Sequence, residues 1–310
     1  MREVVLFKLV SFLNGKGFTV NSFFDYNSCF DLIAKRNNFT LIVKVYSNID
    51  AVRPEQALEL LKLGKTFNAM ALVIGEKTRL GELKKGEIYE RHSIPVMSFN
   101  TFSSVLDSFA PSVRHFKGKT IVELDYNKLR EGRAKEDLSL EELARKVGIT
   151  KESLYRFEHG HSTSIGTARK LEKALGVDLV LEKNLLDSFF QDQLEREKRM
   201  PFDSMPKDES IEKIHYLGLD VFELQHSPFR AVGSKKEFLL IDKGKEKQEL
   251  KKKALVLEKA KAVFDSHSLI ITKKYKIERI SGTPVIQEEE LDSYSRINEL
   301  LAEIKRREKK

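Results

Sequence analysis

The side chains best placed to do chemistry in this 310-residue sequence stand at the start of a short helical segment near its middle. Lys151, Glu152 and Tyr155 follow Thr150, a residue type that caps helix N-termini, and they face outward while Leu154 and Phe157, three apart, point inward. A lysine and a tyrosine exposed at the start of that helix are not needed by a purely structural unit, which favours contact with a partner there. Other chemistries have thinner support. His159-Gly160-His161 brings two imidazoles without a cysteine or an acid at ligand spacing, and such a pair is expected at the surface of a helix end. The sequence contains no GxxxxGK[ST] loop and no GxSxG elbow. Eight lysines against three glutamates between residues 243 and 261 fit a solvated helix face, with phosphate contact as the alternative. No cofactor and no metal ion is expected.

The elements that must position the patch have clear start and stop signals. Ser139 with Glu142 makes a capping box for a helix to Lys146 whose apolar side is Leu140, Leu143 and Ala144, and Gly148 ends it. Thr150 opens the next helix, which stops at Gly160; Thr163 or Ser164 can cap a third, from Ile165 to Leu175, closed by Gly176. Two short helices joined by a glycine-containing turn of about four residues have helix-turn-helix geometry, in which the second helix enters the major groove by its N-terminal end. The segment LSLEELARKVGITKESLYRFEHG resembles the signature of the Cro/CI-type (XRE-like) helix-turn-helix family, with Ala144, Gly148, Ile149, Leu154, Glu158 and Gly160 at the expected spacing.

That resemblance implies that Lys151, Glu152 and Tyr155 face base edges, that Arg156 and His159 lie near phosphates, and that Glu158 braces the unit by pairing with Arg133. Where the family commonly has a phosphate-binding glutamine, this chain has Leu140. Residues 126–180 hold eleven Lys and Arg against nine Asp and Glu, a balance of only +2, so a homodimer or help from the flanking domains is expected for tight DNA binding. A helical unit used for protein contact is the alternative.

On either side, residues 1–110 and 209–303 show mixed helix and strand patterns in the same order. In the first, a helix precedes strand candidates at 18–24, 30–36 and 39–46, a helix from Pro54 to about Asn68, strands at 70–74 and 94–98, and a helix at 101–109. In the second, a helix at 211–217 precedes strands at 221–224, 229–232 and 236–242, a helix at 246–264, and strands at 268–272 and 283–286. Ile94-Pro95-Val96 nearly matches Thr283-Pro284-Val285, so the last domain reads as a degenerate repeat of the first; two unrelated domains with a common order remain the alternative. Breakers mark linkers at 110–119 and 191–208.

The stretch FDLIAKRNNFTLIVKV resembles the core of the restriction-endonuclease-like fold, in which an aspartate and an acid-x-lysine triplet hold Mg²⁺ and a water. Asp31 and Lys44 match that pattern, but Ile42 stands where the second acid belongs; Glu55 at the start of the following helix is the candidate replacement. The C-terminal copy keeps less, with Arg230 at the first position and Leu240-Ile241-Asp242 at the second.

The whole arrangement resembles archaeal HTH-type transcriptional regulators. The expected fold is multidomain: α/β restriction-endonuclease-like domains at 1–110 and 209–303 flank an all-α Cro/CI-type unit at 120–190. The net charge of +8 favours an anionic partner without defining a site. No apolar run approaches the ~20 residues of a membrane helix, and Cys29, the one cysteine, suits a reducing compartment, so a cytoplasmic protein is expected. The resulting expectation is a non-enzymatic, sequence-specific binder of double-stranded DNA that regulates transcription. A metal-dependent, structure-selective nuclease and a protein-interaction scaffold are the alternatives.

Overall fold

The structure is a computed structural model that describes residues 2–24, 26, 28–37, 39–107, 110–111, 113–116, 119–180, 182–183 and 205–309. The chain opens with α1 (Arg2–Gly15), which buries Val5, Leu6, Leu9 and Leu13 on one side, and turns through Gly17 at φ 78°. An antiparallel meander follows: β1 (Thr19–Ser22), β2 (Leu32–Arg36) and β3 (Phe39–Asn48), with Leu32 opposite Val43. Helix α2 (Pro54–Phe67) starts with proline, whose missing N–H costs nothing in a first turn, and ends on left-handed Asn68. Next come β4 (Met70–Thr78), β5 (Gly81–Glu82), β6 (Ile88–Arg91), β7 (Ile94–Met97) and α3 (Phe99–Asp107).

Residues 110–119, expected as a linker, instead include β8 (Ala110–Pro111) and β9 (Val113–Phe116), followed by β10 (Lys119–Val122). The β-branched residues Val113, Thr120, Ile121 and Val122 give this stretch a strand preference that its proline and glycine obscured. The helical unit follows: α4 (Tyr126–Lys135), α5 (Leu140–Val147), α6 (Lys151–Phe157), β11 (Thr163–Ser164) and α7 (Ile165–Leu175), then β12 (Glu182–Lys183). Leu129, Leu143, Val147, Leu154, Ala168 and Leu171 form its core, and β11 pairs with β10, a small strand contact in a unit expected to be all helical. Most of the expected second linker, residues 191–204, lies outside the described residues.

The C-terminal part comprises α8 (Glu209–Tyr216), β13 (Asp220–Glu223), β14 (Ala231–Ser234), β15 (Phe238–Lys243), α9 (Lys247–Phe264), β16 (Ser266–Thr272), β17 (Arg279–Ile280), β18 (Thr283–Gln287) and α10 (Ile297–Lys309). Its sheet order is β13-β14-β15-β16-β18-β17, with β15, β16 and β18 parallel because α9 carries the chain from β15 back to β16. Asp31 N–H donates to Val43 O (2.8 Å) and Arg230 N–H donates to Ile241 O (3.0 Å) at corresponding places of the two meanders.

The described chain forms two compact units. The first comprises Met1–Val45, Val52–Leu72 and Leu194–Lys310; the second comprises Tyr46–Ala51 and Val73–Gln193. Within the first unit the N- and C-terminal parts share a core. Phe67 at the end of α2 stacks on Phe264 at the end of α9, ring centroids 3.8 Å apart, and Phe30 meets Phe229 at 6.2 Å. Cys29 N–H donates to His226 O, and Glu59 of α2 accepts from the N–H groups of Gln225 (2.6 Å) and His226 (2.8 Å). In the second unit, β6 and β7 run antiparallel, Val73 of β4 faces Val96 of β7 in parallel pairing, and β9 and β10 extend the sheet to β11.

Candidate nucleic-acid interface

Four helix ends build the site. Ser139 accepts from Glu142 N–H (3.2 Å) while the Glu142 carboxylate accepts from Ser139 N–H (2.8 Å), a closed capping box that fixes where α5 begins. Those hydrogen bonds from Ser139 hold the Glu142 carboxyl below its ordinary range. Gly148 at φ 74° ends α5, a conformation that a side chain would oppose, and Thr150 accepts from Ser153 N–H (3.2 Å) to start α6 only three residues after α5 stops. Ser164 rather than Thr163 caps α7, accepting from Thr167 N–H (3.1 Å).

Each residue expected to meet DNA is described. Lys151, Glu152, Tyr155, Arg156 and His159 are all exposed, and Tyr155 keeps 53% of its surface in solvent although it is a large aromatic. The Tyr155 and His159 rings lie 4.0 Å apart, and His159 Nδ1 donates to Tyr155 O at 2.7 Å, which steers the imidazole along the end of the helix. Leu154 on the opposite face is fully buried. Leu140 packs against the core of the unit instead of reaching outward, which removes a polar contact from the start of α5.

Behind this face lies Glu158, buried to 4% exposure. Arg133 of α4 meets it with two parallel bonds, Nε to Oε1 (2.7 Å) and Nη2 to Oε2 (3.1 Å), while Nη1 donates to Leu138 O (2.9 Å). Bidentate geometry makes this a strong charge-assisted contact, and the Glu158 carboxylate raises the Arg133 pKa further. It ties the end of α6 to α4 and to the turn before α5. The sequence reading did not include Leu138 O as a third partner, because a backbone acceptor has no residue-type signal.

Asp31 is fully buried in the first unit. Its Oδ1 receives Lys44 Nζ at 3.0 Å and also Arg2 Nη2, while its Oδ2 accepts Val45 N–H at 2.8 Å. Ile42 beside it is fully buried, and Glu55 is exposed in the first turn of α2 and is not among Asp31's partners. Among the described residues no group of three or more His, Cys, Asp or Glu could hold a metal ion. Arg2 was missed in the sequence because it is 29 residues from Asp31 with no local pattern linking them. In the C-terminal part the charges are reversed: Arg230 stands at the place of Asp31 and Asp242 at that of Lys44, with Asp208 Oδ2 3.9 Å from Arg230 and Lys253 Nζ 3.0 Å from Asp242.

Residues 129–181 match the helix-turn-helix family, and residues 2–111 match the PD-(D/E)XK superfamily domain. Relatives that match over most of their length come from archaea. A protein of Archaeoglobus fulgidus is 30% identical, with 89% of each chain covered. A Methanocaldococcus jannaschii protein is 30% identical with 98% of this chain and 97% of its own covered, and one from Thermococcus kodakarensis is 30% identical with 97% and 94% covered. Each carries the name "Putative HTH-type transcriptional regulatory protein". No solved structure matches.

Proposed function

The chain belongs to the archaeal family of HTH-type transcriptional regulatory proteins, and on that ground we propose that it binds double-stranded DNA through α5 and α6 and thereby controls transcription. The observation that carries this reading is the exposed start of α6, where Lys151, Glu152 and Tyr155 project from a helix whose other face and end are locked by Leu154 and by the Arg133–Glu158 pair. An aromatic ring that packs on His159 yet keeps half its surface in solvent beside a lysine and a glutamate suits base-edge contact. Arg156 and His159, one turn further on, take flanking phosphates.

Sequence specificity is tested by selecting bound fragments from a random duplex pool at a stated salt concentration. The wild-type chain should enrich one motif, and the triple variant Lys151→Ala/Glu152→Ala/Tyr155→Ala should enrich none. Equal enrichment by both proteins would move the reading surface away from α6.

The small positive balance of residues 126–180 favours two copies on one operator, which light scattering of the protein–DNA complex measures. A cytoplasmic location fits a chain whose single cysteine is a buried thiol that burial pushes well up in pKa. The Asp31 site serves as scaffold and not as a nuclease, since its carboxylate is already committed to Arg2, Lys44 and Val45 N–H and the neighbouring acid position is Ile42.

The domains we assign are 1–110, 120–190 and 209–303, with the last a repeat of the first. Support comes from a common register: Ala57, Leu60 and Phe67 of α2 are buried like Ala254, Leu257 and Phe264 of α9, Leu58 and Leu255 are both exposed, and left-handed Asn68 and Asp265 end the two helices.

A further inference from the structure

In the C-terminal part of the first unit, Arg230 and Asp242 stand where Asp31 and Lys44 pair in the N-terminal part, and they do not pair with each other. A cavity of about 400 Å³ lies there between the 224–230 loop, the first half of α9 and Tyr26, within the ~300–1,000 Å³ typical of small-molecule sites. Leu224, Phe229 and Val256 give it apolar walls.

Its polar groups fall into a spent set and an available set. Lys253 Nζ pairs with Asp242 Oδ1 (3.0 Å) and with Glu249 Oε1 (3.1 Å), while Glu249 Oε2 accepts Lys245 N–H (3.0 Å), so most of the acidic charge is compensated. Lys252 is exposed and has no carboxylate within 4 Å among the described residues. Arg230 has only the weak 3.9 Å approach of Asp208, whose own carboxylate receives Lys243 Nζ at 2.6 Å. Asp242 Oδ1 takes Lys253 and Lys243 N–H, whereas Oδ2 accepts nothing among the described residues.

One cation without a carboxylate partner, Lys252, a second held only at 3.9 Å, Arg230, one open carboxylate oxygen and apolar walls suit a ligand with an anionic end, an apolar body and an N–H donor. We propose that this cavity binds a nucleoside monophosphate, with Arg230 and Lys252 taking the phosphate and Asp242 accepting an N–H of the base. The site uses no residue of α6, so its failure and that of the DNA-binding reading are separable.

Calorimetric titration of the full chain at fixed ionic strength tests it with AMP, GMP, CMP and UMP, the four nucleosides, inorganic phosphate, and a short 5′-phosphorylated duplex as competitor. At least one mononucleotide should bind at one site per chain, with its nucleoside and inorganic phosphate each at least about tenfold weaker. Lys252→Ala, a surface change that leaves the core intact, and Arg230→Gln should each weaken that binding about tenfold or more, with unchanged circular dichroism. The duplex should not displace the nucleotide. No binding of any mononucleotide at millimolar concentration, phosphate binding as tightly as the nucleotides, displacement by the duplex, or indifference to both substitutions in folded protein would each overturn the assignment.

Discussion

Asp31 and Glu158 are both buried carboxylates held by a cation, and each sets a measurable consequence of its removal. Asp31→Asn strips Lys44 of its buried counter-charge, so the chain should lose roughly 3 kcal/mol in chemical denaturation, while neither parent nor variant cleaves labelled duplex in Mg²⁺. Mg²⁺-dependent cleavage lost in the variant would restore the nuclease reading. Glu158→Ala should cost about 1–3 kcal/mol, because Arg133 loses two charge-assisted bonds in a partly buried place; an unchanged melting temperature would remove the brace from the account. These residues differ in how far sequence exposes them. Arg133 and Glu158 are tied by a signature of fixed spacing within one small helical unit, whereas Arg2 reaches Asp31 only because α1 folds back over the meander. The open cavity beside Arg230 left even less trace, since it depends on which side chain fills a volume and not on residue type.

At the scale of elements, local chemistry is what sequence carries well. Ser139 with Glu142, Thr150, Ser164, Gly148 and Gly176 fix the helix ends of the central unit through bonds spanning three or four residues. The strands at 113–116 and 119–122 are hidden by the nearby Pro111 and Gly118, and α10 lies beyond the elements expected from sequence although Ile297, Leu300 and Ile304 recur at helical spacing. Pairings across the chain have no local signature, and the Phe67–Phe264 stack is the clearest instance. Each ring is less than a tenth exposed, so Phe67→Ala and Phe264→Ala should each cost about 3–5 kcal/mol. The double variant should cost clearly less than the sum, because both single changes break the same contact. Strict additivity by urea titration would mean that the N- and C-terminal parts do not share this core.

For the molecule as a whole, stability and recognition depend on different charges. Burial pushes the Glu308 carboxyl up, but hydrogen bonds from His267 and Lys261 outweigh it and bring the pKa down to about 2; Arg306 and Arg307 likewise hold Glu303 at about 2. Because both folded values lie below the ordinary 4.5, their stabilisation is complete above that pH and is lost as pH falls toward 2. The unfolding midpoint should therefore drop across that window, and Glu308→Gln should flatten part of the drop; a variant with the parent's acid profile would exclude Glu308 as a source. Recognition, in the function proposed above, rests instead on the exposed start of α6. The most direct test is a competition titration of the parent, Lys151→Ala and Arg156→Ala against a selected site and its single-base variants at several salt concentrations. Lys151→Ala should relax discrimination at particular base pairs by about 1–3 kcal/mol, and Arg156→Ala should weaken all sequences alike and make the salt dependence shallower by about one counterion. A uniform loss of affinity in Lys151→Ala with base preferences intact would contradict α6 as the reading helix.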